Sequence, residues 1–347
     1  MHRKIGVLTG GGDCPGLNAA IRAVTKSATQ RGYEVLGIRN GWKGLLDNET
    51  VVLDRVNTSG IIDRGGTILG TSRVSPLRIE NGPRQVFDAL ERFGLEALVV
   101  LGGEGTLSVT SKLFRMGLPV VGIPKTIDND VMGTNFTIGF QTAVQIATDA
   151  LDRLRSTAES QHRVMLLEVM GRHTGWIATY AGMANGADAI LIPEIPVDRA
   201  KLEELCSMLV ARNQRGANFS IVVVAEGTVL EGKTVAVPGP DMSTSTEPAR
   251  LGGIANVLGG LIQSKTGLET RVSSLGYIQR GGTPVAYDRS LATAFGVKAT
   301  EVIENKMYGV MTALKGNRIT TVQLEEVEDR VKTVNLNIYR VAAVFFG

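Results

Sequence analysis

The chain has 347 residues, of which 43% are hydrophobic and 20% charged, a composition typical of a globular protein large enough for two domains. A formal net charge of +3 at pH 7, without a run of Lys and Arg, argues against a nucleic-acid partner. Two cysteines and no apolar stretch near 18 residues argue against a disulfide framework, secretion and membrane insertion, so we expect a cytoplasmic protein.

Apolar runs predict seven buried strands, with helices between them. The first strand, at 5–8, leads into the glycine-rich stretch GGGDCPG at 10–16 and a helix over 17–31. Further strands are predicted at 35–38, 97–101, 120–123, 164–169, 189–192 and 221–225, and further helices from Ser108, at 143–154 and at 199–212. Strands that alternate with helices indicate a layered α/β fold with mainly parallel sheets.

Three places interrupt this alternation. The stretch 40–50 is rich in turn-forming residues and is expected to be a surface connection. A change of pattern near Phe140 predicts a domain boundary, and the irregular segment 227–256, with its glycines, prolines and Ser/Thr run, predicts an exposed loop or hairpin.

A glycine-rich turn, GGEGT at 102–106, follows the strand at 97–101. Glycines let backbone N–H groups approach a ligand, and the N-terminus of the following helix adds partial positive charge, so this turn suits a phosphate. The acid Glu104 at its centre suits a phosphate only if a divalent cation such as Mg²⁺ lies between carboxylate and phosphate oxygens.

A second polar stretch, PKTIDND at 124–130, follows the strand at 120–123. Its two aspartates, Asp128 and Asp130, are close enough to repel each other, so they need a cation or a proton. In parallel α/β sheets ligands bind beyond the carboxyl ends of the strands, so the loops at 10–16, 102–106 and 124–130 are expected to converge.

These motifs resemble the phosphofructokinase family over nearly the whole chain. They are, in the family's order, GGEGT at 102–106, PKTIDND at 124–130, DRLR at 152–155, EVMGR at 168–172 and QRGGTP at 279–284. The resemblance implies two layered α/β domains with the active site in the cleft between them. A nucleotide or phosphoryl-donor domain is expected at 1–139 plus about 284–322, and a sugar-phosphate domain at 140–283 plus about 323–347.

The resemblance also implies Mg²⁺-dependent transfer of a phosphoryl group from ATP to the 1-hydroxyl of fructose 6-phosphate, giving fructose 1,6-bisphosphate and ADP. Asp128 is then the general base, Thr126 binds the reacting end of the sugar, and Arg172 neutralises the transferring phosphoryl group. Glu104 and Asp130 are expected to hold or orient Mg²⁺. The expected donor contacts are Gly11, Arg73, Val74, Gly102, Gly103, Gly105, Thr106 and Lys125.

The expected sugar-phosphate contacts are Thr126, Asp128, Arg163, Met170, Gly171, Arg172, Glu226, Arg271, Tyr277 and Arg280. In the family, some of the arginines for the 6-phosphate, among Arg163, Arg271 and Arg280, reach across from a neighbouring subunit, so a homodimer or homotetramer is expected. Tyr277 departs from the histidine of the familiar bacterial enzymes and can supply a hydrogen bond but no positive charge.

Two residues indicate different phosphoryl donors. In this family, a glycine at the position of Gly105 leaves room for ATP, whereas an aspartate there goes with pyrophosphate. Lys125 is typical of pyrophosphate enzymes, although one ATP-using branch also carries it. We expect ATP, because a lysine can serve either donor whereas an aspartate repels one, and pyrophosphate stays the alternative.

Two other classes of function fit the sequence less well. A dehydrogenase is disfavoured because the first loop is not G-x-G-x-x-G, and the P-loop signature is also absent. A non-catalytic sugar-phosphate sensor would use the glycines and cations, but it has no use for three acids, Glu104, Asp128 and Asp130, around a phosphate pocket. The three acids therefore favour catalysis.

Overall fold

The computed structural model describes residues 3–236 and 251–347. Contacts divide the chain into two units: unit 1 comprises Met1–Thr142 and Arg280–Lys332, and unit 2 comprises Ala143–Gln279 and Thr333–Gly347. The boundaries expected from the sequence lie after residues 139, 283 and about 322.

The strands are β1 (Arg3–Thr9), β2 (Tyr33–Ile38), β3 (Thr50–Leu53), β4 (Ala97–Gly102), β5 (Val120–Pro124), β6 (Val164–Val169), β7 (Ala189–Leu191), β8 (Ser220–Ala225), β9 (Thr270–Ser274), β10 (Val310–Lys315) and β11 (Arg318–Gln323). The α-helices are α1 (Leu17–Gln30), α2 (Gly41–Leu46), α3 (Gly82–Phe93), α4 (Glu104–Arg115), α5 (Phe140–Gln161), α6 (Trp176–Asn185), α7 (Arg199–Gln214), α8 (Ile254–Thr266), α9 (Ala286–Glu304) and α10 (Leu336–Ala343). Three short 3₁₀-helices occupy Pro76–Arg78, Gly276–Arg280 and Leu324–Glu326.

Unit 1 is built on a sheet of seven strands in the order β11-β10-β5-β4-β1-β2-β3. The five inner strands are parallel, and β3 and β11 add antiparallel edges. The inner strands are apolar and buried because helices cover parallel sheets on both faces. On one side α1 packs against α9 so closely that a Cβ on Gly296 would lie 2.6 Å from the Cβ of Ala23.

Unit 2 is built on a parallel sheet of four strands in the order β7-β8-β6-β9. Its apolar core joins these strands to α7 and α8, with Leu166, Leu209, Val222 and Leu258 fully buried. Both units therefore confirm the predicted α/β fold with mainly parallel sheets.

All seven predicted strands are confirmed, but two local predictions were wrong. Residues 41–46 form a helix rather than a turn-rich surface connection, and Trp42 and Leu45 of this helix are buried. Helix α4 begins at Glu104 rather than at Ser108, so the glycine-rich turn is itself the first helical turn.

Strands β3, β9, β10 and β11 were not predicted. The edge strand β11 and the polar strand β9 are only partly buried and carry little apolar pattern, whereas β10 is mostly buried. The expected loop or hairpin at 227–256 falls partly on residues 237–250, outside the described residues; on either side Ala236 pairs with Leu251 in an antiparallel bridge. Within the described residues, no helix is both long and apolar enough to cross a membrane.

Candidate active site

The loops after β1 and β4 lie side by side at a switch point of the unit 1 sheet. The chain leaves β1 towards β2 on one side, whereas β4 lies on the other side of β1. The two carboxyl ends are joined directly, since the Gly10 amide donates to the Leu101 carbonyl (2.9 Å). A switch point of this kind is where open α/β sheets bind ligands, and it brings the two predicted glycine-rich turns together.

The first glycine loop is held open by its backbone. Gly11 has φ 80°, a left-handed conformation that favours glycine. Its amide donates to the Ser72 carbonyl (2.9 Å), and its carbonyl accepts from Thr71 Oγ1 (2.6 Å). The next residues along the chain, Arg73 and Val74, are exposed and half-buried respectively. The structure thus places the predicted donor contacts at 73–74 beside the predicted donor contact Gly11.

The second glycine turn combines one crowded glycine with one open glycine. A Cβ on Gly102 would lie 2.6 Å from the Cβ of Thr106, so that position requires glycine. Gly103 is the N-cap of α4. Gly105 lies in the first turn and is exposed, and a Cβ there would meet no atom within 4 Å. The space above Gly105 is therefore available to a ligand.

The side chains of Lys125 and Arg280 both bind backbone carbonyls of the first glycine loop. The Lys125 side chain is 2% exposed and its Nζ donates to the Gly12 carbonyl (2.7 Å). Burial lowers the Lys125 pKa, and the Arg280 charge lowers it further. Arg280 donates through Nη1 to the Asp13 carbonyl (3.3 Å). The structure places Arg280, a predicted 6-phosphate contact, at the loop that was predicted to bind the donor.

The turn that follows β5 carries the predicted base. The Thr126 amide donates to the Ile138 carbonyl (3.1 Å), and the Asp128 amide donates to Thr126 Oγ1 (3.2 Å). Asn129 has φ 51° and is fully buried. A left-handed asparagine between two aspartates turns the chain sharply, so Thr126, Asp128 and Asp130 share one compact turn.

The acids of this turn are electrostatically strained. Burial, followed by the Asp128 charge, raises the pKa of Asp130 to about 7, and the charge of Glu104 contributes in the same direction. Burial and the Asp329 charge raise the pKa of Glu104. Asp130 therefore lies within the fields of both other predicted acids, as a cation site needs.

The acids of the described residues offer a partial site for Mg²⁺. The described residues contain no group of three or more His, Cys, Asp or Glu that could hold a metal ion alone. Asp130 Oδ1, however, is buried without a hydrogen-bond partner among them. Mg²⁺ is commonly held by one or two carboxylates together with substrate phosphates. A pair of acids with an unpaired buried oxygen fits that pattern.

Sequence reasoning missed Lys332, which lies against the same turn. Its Nζ donates to Asn129 Oδ1 (2.9 Å), and burial lowers its pKa to about 7, an effect that the Asp130 charge opposes. More than 190 residues separate the two contact partners in the sequence, so no local pattern indicated the contact.

In unit 2, two loops at the carboxyl ends of β6 and β8 meet through their backbones. The Glu226 amide donates to Val169 (2.8 Å), and the Gly227 amide donates to Gly171 (3.0 Å). Gly171 has φ 144°. The predicted sugar contacts Met170, Gly171, Arg172 and Glu226 are thus brought together. Tyr277, at 59% exposure, follows the carboxyl end of the neighbouring strand β9.

The predicted phosphate ligands Arg163 and Arg271 lie elsewhere. Arg163 immediately precedes β6, Arg271 is the second residue of β9, and both contact the carboxylate of Glu269, with Arg163 Nη2 at 2.9 Å. They therefore occupy the amino ends of parallel strands whose carboxyl ends lead to Met170 and Tyr277. At ~3.3 Å per residue, the six residues of β6 separate these two places by about 20 Å.

Glu269 is a second residue that the sequence reasoning missed. The hydrogen bond from Arg163 lowers the pKa of Glu269, and Arg163 Nε remains buried without a partner among the described residues. Two guanidinium groups on one carboxylate form a site that also suits a phosphate.

Glycine turns at a switch point, a turn with strained acids, and clustered arginines define an α/β enzyme that handles phosphate groups. The chain belongs to the phosphofructokinase family, whose family model, described as "Phosphofructokinase", matches residues 4–303.

Relatives with different phosphoryl donors are equally similar to the chain. It is 48% identical to a pyrophosphate–fructose 6-phosphate 1-phosphotransferase of Streptomyces coelicolor, over 99% of this chain and 100% of the relative. It is also 48% identical to ATP-dependent 6-phosphofructokinase 3 of the same organism, over 95% and 96%. The names of these relatives favour catalysis over the sensor hypothesis.

The fold agrees with this family membership. Pichia pastoris phosphofructokinase, solved in the T-state, superimposes with a TM-score of 0.84 at 30% identity, over 99% of this chain and 36% of that longer chain. Because overall identity is the same for relatives with either donor, the choice of donor depends on particular residues.

Proposed function

We propose that this protein is a cytoplasmic, Mg²⁺-dependent 6-phosphofructokinase that uses ATP. The observation that carries the choice of ATP is the open space above Gly105 in the first turn of α4, where a side chain would meet no atom within 4 Å. Two buried free cysteines, Cys14 and Cys206, agree with a reducing compartment.

In the proposed reaction the 1-hydroxyl oxygen of fructose 6-phosphate forms a bond to the γ-phosphorus, and the bond from that phosphorus to the ADP oxygen breaks. The bonding electrons leave with ADP, and the hydroxyl proton moves to Asp128. Thr126 orients the sugar, while Arg73 and Arg172 neutralise the charge that spreads over the transferred group. Phosphoryl transfer depends mainly on such positioning and electrostatic stabilisation.

Glu104 and Asp130 are the residues that would hold Mg²⁺ together with the donor phosphates. A bound Mg²⁺ supplies positive charge to the phosphate oxygens and orients the donor. The unpaired buried Oδ1 of Asp130 supports this assignment. Gly11 would supply space for the phosphates, and the first turn of α4, which follows the N-cap Gly103, would supply backbone donors.

Pyrophosphate remains the second candidate donor because of Lys125. Its buried ammonium lies 3.3 Å from where a Cβ on Gly11 would be, so it can add positive charge beside a donor phosphate. This cation would suit the compact charge of pyrophosphate. Lys125 would not exclude ATP, and the open space at Gly105 leaves room for this larger donor.

The test of function is the initial rate of fructose 1,6-bisphosphate formation with ATP and with pyrophosphate in separate assays. We expect turnover with ATP, and loss of at least about a hundredfold in kcat for Asp128→Asn with the sugar KM nearly unchanged. Turnover with pyrophosphate alone would overturn the proposed donor, and an active, folded Asp128→Asn variant would overturn the proposed base. Inactivity of the wild type with both donors would overturn the function.

We also propose that the enzyme is a homo-oligomer in which subunits share the 6-phosphate site. The support is the separation of about 20 Å along β6 between Arg163 and the sugar residues that follow Val169. One chain cannot offer both ends of that strand to one small sugar phosphate. Arg163 and Arg271 are therefore assigned to the sugar bound by a neighbouring copy.

Subunit mixing tests this sharing. Asp128→Asn and Arg163→Ser subunits are each expected to be nearly inactive, and their mixed oligomers are expected to recover activity because some sites receive neither change. For freely exchanging dimers the recovery is about one quarter of wild type, since about half the dimers are mixed and one of their two sites is intact. No recovery after verified exchange would contradict a shared site.

A further inference from the structure

The side chain of Lys332 is completely engaged by the region around the Asp128–Asp130 turn. Its Nζ donates to Asn129 Oδ1 (2.9 Å), to the Thr134 carbonyl (2.9 Å) and to the Asn135 carbonyl (3.0 Å). An ammonium group has three N–H donors, so these bonds use all of them. Neutral acceptors of the loop therefore hold the ammonium group by three hydrogen bonds, and the Asp130 charge acts on it as well.

The most informative of these acceptors is Asn129. It is fully buried with φ 51°, a left-handed conformation that asparagine adopts more readily than most other residues apart from glycine. Its Oδ1 accepts from the Thr137 amide (3.1 Å) as well as from Lys332. Because Asn129 separates Asp128 from Asp130, the contacts of its side chain hold the backbone between the two carboxylates.

The backbone beside Lys332 holds the same turn. The Lys332 amide donates to the Asp130 carbonyl (2.8 Å), and Val331 pairs with Val131 in an antiparallel bridge. Lys332 is thus attached to the turn through its main chain and through its side chain. Two attachments fix the direction of the ammonium group as well as its distance.

The segment 328–332, here called the anchor segment, is fixed from outside the turn. Glu328 accepts two hydrogen bonds from Arg115. Asp329 accepts from Ser108 Oγ (2.7 Å) and from Lys112 Nζ (2.9 Å). All three donors belong to α4, the helix that begins with Glu104. The anchor segment therefore links the helix that carries one predicted metal ligand to the turn that carries the other.

We propose that Lys332 is a positioning residue for phosphoryl transfer: through Asn129 it holds the turn in the shape that presents Asp128 to the sugar hydroxyl and Asp130 to the donor side. The inference rests on the proposed function, which gives Asp128 its role as base. Lys332 acts through Asn129, so its loss should affect turnover rather than sugar binding. A misplacement near 1 Å in a reacting group can cost about a hundredfold in rate.

The test compares Lys332→Met with Arg115→Met. Lys332→Met keeps an apolar stem and removes every side-chain donor of residue 332 to the turn, while its main-chain bond to Asp130 remains. Arg115→Met removes the ion pair with Glu328 in the same anchor segment and leaves the turn contacts intact. Lys332→Gln, which keeps an amide donor without the charge, is the milder variant. Each is assayed for kcat, sugar KM, unfolding midpoint and amide hydrogen exchange without ligands.

We expect Lys332→Met to lower kcat about 30- to 100-fold with the sugar KM within about threefold. Exchange at the Thr137 amide should rise at least about tenfold, because its acceptor Asn129 loses its second partner. Lys332→Gln should give values of kcat and of Thr137 exchange between those of wild type and Lys332→Met. Arg115→Met should match wild type in both quantities. If Lys332→Met does not fold, Lys332→Gln is judged by the same criteria.

Two results would overturn the inference. One is a folded Lys332 variant with wild-type kcat. The other is a fall in kcat that faster exchange over 128–137 does not accompany, or that Arg115→Met shows equally, since neither pattern is expected if Lys332 acts by holding the turn. Wild-type protein that is inactive with both donors contradicts the proposed function instead, and the ligand-free exchange measurement still decides whether Lys332 holds the turn.

Discussion

Replacing Gly105 with aspartate separates the choice of phosphoryl donor from the stability of the fold. Gly105 lies in the first turn of α4, and a Cβ there meets no atom within 4 Å. Within a helix glycine is about 1 kcal/mol and aspartate about 0.7 kcal/mol less favourable than alanine, so the exchange itself gains only about 0.3 kcal/mol. An acid in the first turn adds about 0.3–1 kcal/mol. Gly105→Asp should therefore be at least as stable as wild type.

The expected effect on ATP is large because the same carboxylate would face the phosphates. One unit charge about 4 Å from another, at an effective dielectric constant near 20, costs about 4 kcal/mol. At about 1.4 kcal/mol for each factor of ten, kcat/KM for ATP should fall about a thousandfold. The sugar KM should stay within about threefold of wild type, since its residues are untouched.

Gly105→Asn and Gly105→Ala are the matched controls, because they add similar or smaller volume without charge. Initial rates over a range of ATP concentrations, with urea unfolding of each variant, complete the experiment. ATP kinetics within about threefold of wild type in Gly105→Asp would refute the reasoning. If kcat/KM for ATP falls equally in Gly105→Asn, electrostatic repulsion is refuted as the cause, and the loss of space alone explains the effect.

Three further outcomes are expected. Gly102→Ala should destabilise by about 1–3 kcal/mol in urea unfolding, because its Cβ would lie 2.6 Å from the Cβ of Thr106. Neither Cys14 nor Cys206 should react with iodoacetamide in the native protein at pH 8, because both are buried. Desolvation also raises the pKa of Cys14 to about 12, which lowers the thiolate fraction of this residue about a thousandfold. Mn²⁺ affinity, measured by electron paramagnetic resonance, should be about tenfold lower at pH 6 than at pH 8, because a metal ligand must be deprotonated and the Asp130 pKa is raised to about 7.

Each of these outcomes has a control. Gly103→Ala, whose Cβ would lie no nearer than 3.5 Å to any neighbour, loses only the preference for glycine at the N-cap and should destabilise the fold less than Gly102→Ala does. Equal losses of stability in the two variants would contradict the crowding argument. Two thiols should react after unfolding, so native labelling of Cys14 would mean that its loop opens. Mn²⁺ binding to Asp130→Asn should no longer depend on pH. If the pH dependence remains in this variant, a group other than Asp130 causes it.

The sequence by itself determined the α/β class and the segments that carry the chemistry. Buried strands of a parallel sheet are apolar along their whole length, so β1, β4, β5, β6 and β8 were recognisable without knowledge of their neighbours. The glycine turns and the PKTIDND stretch were recognisable because each combines its residues within a few positions.

Only the tertiary structure decided which distant residues meet. Lys332 contacts Asn129, and Glu269 lies between Arg163 and Arg271; neither partner belongs to a local motif. The start of α4 was also misjudged, because a glycine-rich turn is a poor helix former that here continues the helix directly from β4. Local patterns report periodicity and turn chemistry, whereas the order of strands in the sheet, and with it the pairing of loops and charges, comes from packing over long sequence separations.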